Sequence, residues 1–103
     1  MPTPKELAKS KMVQERADVD QTLSAIQNAH TQVLKFQAKK SKARLIGDKV
    51  KAKHYTKSLK SQKKQIRILE QTLLVEVEQW AYAVRQFTLI KNKEKTYEPN
   101  ERD

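Results

Sequence analysis

Lysine and arginine recur at intervals of three and four over one stretch of this chain, and that pattern carries most of its chemistry. Lys49, Lys53, Lys57, Lys60, Lys64 and Arg67 share one flank of any helix that holds them, and Lys35, Lys39, Lys42 and Arg44 precede them. Six cations along about 27 Å of helix, at a rise of 1.5 Å per residue, are dense enough to follow a phosphate backbone. The 103 residues include 22 basic and 12 acidic side chains, a net charge of +10. Residues 1–34 hold four of each, residues 35–67 hold thirteen basic and only Asp48 acidic, and residues 68–103 hold five basic and seven acidic. The three segments therefore carry 0, +12 and −2.

A charge run is most often just a solvated face. Here the neutralising acids are missing, so an anionic partner is the stronger expectation, either a nucleic-acid backbone or an acidic protein surface. The candidate anion-binding residues are Lys39, Lys42, Arg44, Lys49, Lys53, Lys57, Lys60, Lys64 and Arg67. Lysine dominates this set, and the only aromatics within residues 35–67 are Phe36 and Tyr55. Nucleic-acid binding would then be sequence-nonspecific, since bidentate arginine contacts and stacking platforms are largely absent.

Catalysis finds no support. No nucleophile and base are suitably spaced, and there is no glycine-rich phosphate loop. The chain has no cysteine, which excludes disulfides and thiolate metal sites. His30 and His54 have no second ligand at helical spacing, so one reads as a packing residue at the core edge and the other as a solvated residue among lysines. The expectation is a non-enzymatic protein with no metal, cofactor or small-molecule ligand.

A second pattern is apolar. Ile68, Val75, Tyr82 and Leu89 repeat at intervals of seven, supported by Leu74 and Ala81. The corresponding positions earlier in the chain are Gln14, Gln21, Asn28 and Lys35. A helix that carries this stripe in addition to a core-facing seam is apolar on two faces, and a hairpin buries only one of them. These six residues are therefore the candidate partner interface, for a second copy of the chain or for another protein's helix.

The elements that must position these residues are long helices, because one Gly and three Pro, two of them among the first four residues, leave little to interrupt a helix. Thr3 is a plausible N-cap, with Pro4 at the first helical position and Glu6 completing a capping box. Met12, Arg16, Val19, Leu23, Ile26, His30 and Val33 follow a 4,3 spacing that reads as a coiled-coil seam. A second seam runs through Leu59, Lys63, Ile66, Glu70, Leu73, Val77, Trp80, Val84 and Phe87. Gly47 and Asp48 between them suit a reversal.

The fold class expected is all-α, an antiparallel two-helix coiled-coil hairpin that forms a bundle with a second copy or a partner. It is a single domain, with a helix over residues 4–46, a turn at 46–48, a helix over 49–94 and a flexible tail at 95–103. One continuous helix in a parallel dimer is the competing architecture, since a lone Gly costs a helix only about 1 kcal/mol. In the hairpin, residues whose numbers sum to roughly 96 lie opposite each other. Gln37, Lys40, Thr56 and Lys63 then fall on the seam near the turn, which places most of the stability near the chain termini.

A chain of this length with a glycine at the turn resembles the small Trp-x-Gly helical-hairpin proteins of type VII secretion, which accompany larger toxins. Leu45-Ile46-Gly47 lies where that family has Trp-x-Gly, with Leu45 in place of the tryptophan, and Tyr97-x-x-x-Glu101 matches its C-terminal pattern of tyrosine, three residues and an acid. The resemblance implies a role as partner or targeting factor for a larger effector, with Tyr97 and Glu101 as a candidate export motif. Neither a secretory signal nor a membrane span is recognisable, since the most apolar stretch, residues 66–90, carries Arg67, Glu70, Glu76, Glu78 and Arg85. A cytoplasmic location is expected, with export by a signal-peptide-independent route as the alternative. A purely structural coiled coil is the remaining functional alternative.

Overall fold

The computed structural model describes residues 1–97, with side chains through residue 94. The chain is an all-α helical hairpin in which α1 spans Pro4–Leu45 and α2 spans Lys49–Tyr97. α1 begins as the local chemistry dictates: the Glu6 backbone N–H donates to Thr3 Oγ1 at 3.2 Å, while the Leu7 N–H donates to the Thr3 carbonyl at 3.0 Å. The first bond satisfies one of the donors orphaned at a helix start, and the second opens the regular helical ladder.

The reversal between the helices is short because two residues end one helix and begin the next. Gly47 takes a positive φ of 77°. Its N–H donates to the Arg44 carbonyl at 3.1 Å, and the Asp48 N–H reaches back to the Ala43 carbonyl at 2.8 Å, a left-handed C-terminal cap for α1. Asp48 then caps α2, its Oδ1 accepting the Lys51 N–H at 3.0 Å and its carbonyl accepting the Ala52 N–H at 3.0 Å. The continuous helix is thereby excluded.

A Cβ built on Gly47 meets nothing within 4 Å, so the glycine is needed for its φ and not for space. Gly47→Ala is expected to cost about 1 kcal/mol and Gly47→Asn less, read by urea denaturation. Asp48→Ala should cost about 1 kcal/mol through the lost cap. A Gly47→Ala variant as stable as the parent would mean that the left-handed cap does not form in solution.

The chain divides into two compact units, a terminal unit of Met1–Asp20 with Leu74–Asp103 and a turn unit of Gln21–Leu73. In the turn unit the core cluster is Ala29, Val33, Leu59 and Ile66, with Phe36 and Leu69 packed against it. Ala43 is buried as well, and the Phe36 and Tyr55 rings lie 6.2 Å apart. In the terminal unit Glu15, Val19 and Ala83 are buried, and Met12, Trp80, Val84, Phe87 and Ile90 are half-buried. Lys5 Nζ meets Glu94 Oε2 at 2.9 Å across its two helices.

This core corrects the expected seam at most of its alternate positions, Val84 being half-buried as expected. The residues repeating by seven, Val19, Ile26 and Val33 on α1 and Leu59, Ile66, Leu73, Trp80 and Phe87 on α2, are buried or half-buried as expected. Arg16, Leu23, His30, Gln37, Thr56, Lys63, Glu70 and Val77 are exposed, and the positions one residue earlier turn inward: Glu15, Thr22, Ala29, Phe36, Tyr55, Gln62, Leu69 and Glu76. Leu23 is 42% exposed and Val77 40%. The cause is the choice between a step of three and a step of four after each heptad residue. The step of three gathers Ala29, Phe36, Ala43, Tyr55, Leu69 and Ala83, whereas the step of four gathers only Leu23, Val77 and Val84 among polar residues.

The turn unit has a core of its own beside the one expected near the termini. Burying Leu59 and Ile66 supplies about 1.5–3 kcal/mol each, and both belong to the turn unit.

Candidate functional site

The turn unit concentrates the charge. It holds thirteen cations against two carboxylates, Asp48 and Glu70. Asp48 is engaged as the α2 cap. No ion pair forms within this unit; the pairs Lys5–Glu94 and Lys11–Glu15 both belong to the terminal unit. Each of the nine candidate residues, Lys39, Lys42, Arg44, Lys49, Lys53, Lys57, Lys60, Lys64 and Arg67, is exposed.

The six on α2 lie within an arc of about 80° at 100° per residue, on the side turned away from Leu59 and Ile66. The seam is apolar where α1 is covered, so the alternating polar positions can only face water, and in this stretch they are almost all lysine. The α1 cations contribute to a different feature. Lys39 and Lys42 line an open groove of about 230 Å³ with Ala43, Ile46, Lys51 and Tyr55. Lys39 Nζ also sits 5.8 Å from the centre of the Phe36 ring, a cation–π distance that holds the ammonium near this groove.

The candidate set therefore resolves into an outer stripe on α2, a groove between the helices, and Arg44, which lines a separate hollow at the reversal with Gly47, Asp48, Lys49 and Ala52. Lys51 also lines the groove, and the sequence pattern passes over it because it breaks the spacing of threes and fours that defines the stripe. Its seven-residue offset from the half-buried Ser58 of the same helix puts it beside the seam once the register is known.

The apolar candidates are exposed too. Leu74, Val75, Ala81, Tyr82 and Leu89 lie on α2 in the terminal unit, with Val75 at 55% and Tyr82 at 59% exposure. Ile68, also exposed, belongs to the turn unit. Val75 and Tyr82 form one wall of an open groove of about 420 Å³, completed by Lys11 and Glu15 of α1 and by Glu78 and Gln79. Lys11 Nζ and Glu15 Oε1 are joined at 3.0 Å, so this groove has an apolar wall and a charge-balanced one.

His30 is exposed beside Val33, Lys63, Ile66, Arg67 and Glu70, and His54 packs edge-on to Tyr55 with ring centres 5.6 Å apart. His30 is thus on the surface and not at the seam. Among the described residues no group of three or more His, Cys, Asp or Glu side chains could hold a metal ion, and no helix is long and apolar enough to cross a membrane. Leu45 and Ile46 are exposed immediately before Gly47. Tyr97 is the last residue of α2, and Glu101 lies outside the described residues. No known protein family, curated protein or solved structure was found to match this chain.

Proposed function

We propose that the chain is a non-enzymatic adaptor with two working surfaces. The apolar face of α2 docks a partner helix, and the basic surface of the turn unit binds an anionic partner, a nucleic-acid backbone or an acidic protein surface. One observation carries the reading: thirteen cations in a single unit, the candidate nine all exposed, with no ion pair formed within that unit. Self-repulsion of this kind lowers stability, and a polyanion removes it.

The test removes charge without touching the core. Lys53, Lys57, Lys60 and Lys64 are exposed, so changing all four to Gln should preserve helicity and thermal stability. The variant is expected to lose the anionic partner. A variant that keeps every interaction of the parent reduces the stripe to a solvated face.

A second reading, a targeting partner for a larger effector exported by a type VII route, draws on the position of Leu45-Ile46-Gly47 at the reversal. Tyr97→Ala and Glu101→Ala should each abolish export of the chain by such a system. Unchanged export in both would remove that reading.

A further inference from the structure

The exposed face of α2 in the terminal unit sets two opposite charges in the middle of its apolar stripe, and this pattern selects an occupant. At 100° per residue, Leu74, Val75, Ala81, Tyr82 and Leu89 span an arc of about 120°, and Glu78 and Arg85 fall inside it. All seven are exposed. Neither Glu78 nor Arg85 makes an ion pair with a described residue.

An uncharged apolar helix laid on this face would strip water from a carboxylate and a guanidinium and return nothing to either. A second copy of α2 running antiparallel supplies both counter-charges. With a two-fold axis beside Ala81 and Tyr82, Glu78 of each copy faces Arg85 of the other, and Leu74 and Val75 of each face Leu89 of the other. A parallel pairing would set Glu78 against Glu78 and Arg85 against Arg85.

We propose that the chain forms an antiparallel two-fold dimer through this face of α2. The proposal rests on the adaptor reading, in which the face is a docking surface, and names its occupant as a second copy of the chain. The interface is isologous: an apolar strip crossed twice by the same charge pair.

Sedimentation equilibrium of the full chain at micromolar concentrations tests it. The parent is expected to be a dimer. Glu78→Arg and Arg85→Glu should each raise the dissociation constant about tenfold or more, because each replaces both complementary pairs by like charges. The double reversal, Glu78→Arg with Arg85→Glu, should return the parent's affinity, and an equal mixture of the two single variants should form a heterodimer. A monomeric parent overturns the dimer, and single variants that dimerise like the parent overturn it equally. The docking face itself is tested apart from its occupant by Val75→Glu with Tyr82→Glu. If that variant unfolds, the stripe is intrachain core and the adaptor reading of this face falls with the dimer. If it stays helical while the parent is monomeric, only the second copy is ruled out as occupant.

Discussion

Raising the salt from about 50 to 200 mM should weaken binding of the chain to duplex DNA roughly a thousandfold if six phosphates are contacted, the number of cations on the α2 stripe. The estimate follows from counterion release, which gives a log–log slope of about −0.9 per phosphate on a duplex. Filter binding or fluorescence anisotropy across a salt series reads it directly. Replacing Lys53, Lys57, Lys60 and Lys64 by Gln should flatten the slope by roughly three to four units, alike for every sequence tried, since backbone contacts carry no sequence information. An acidic protein partner gives another outcome: no appreciable DNA or RNA binding even at low salt, with the same variant losing the protein partner. Both results keep the basic surface functional and separate its two classes of ligand.

The second large effect lies in the core and tests the register. Ile66→Ala should cost about 2–4 kcal/mol, because Ile66 is 7% exposed and belongs to the Ala29, Val33 and Leu59 cluster. Leu23→Ala and Val77→Ala should each cost less than about 1 kcal/mol, because both residues keep a large share of their surface in water. Urea denaturation of the three variants provides the comparison. If Val77→Ala costs as much as Ile66→Ala, the seam advances by steps of four after the heptad residue and the observed packing is wrong.

Much of the fold is legible in the sequence. The N-cap at Thr3, the reversal at Gly47-Asp48 and the heptad run from Leu59 to Phe87 each follow from local chemistry or a period. The alternate seam residues were not legible in the same way. Both step choices preserve the average period of 3.5, so periodicity is blind to the difference. The difference lies in side-chain size: alanine at positions 29, 43 and 83 is buried in the seam, and a search for large apolar residues passes over it. Phe36 and Tyr55, the only aromatics of the basic stretch, pack against each other within the turn unit. The lysine stripe stays exposed because the shift turns the seam further from it: at 100° per residue Thr56 lies about 20° from Lys49 and Arg67, whereas Tyr55 lies about 120° from them. The apolar stripe is exposed too, and only that makes its two central charges informative.

The reversal at Gly47-Asp48 also governs the order in which this chain can fold. Partners flanking it, such as Phe36 and Tyr55, are roughly twenty residues apart and close a short loop, whereas Lys5 and Glu94 must close nearly the whole chain. Zippering outward from the turn turns each later contact into a small increment, which makes it the low-entropy route. That route starts where the lysines are densest, so assembly begins against mutual repulsion. Dissolved salt screens that repulsion and should therefore ease the first folding step, an effect opposite in sign to the one expected for binding of an anion.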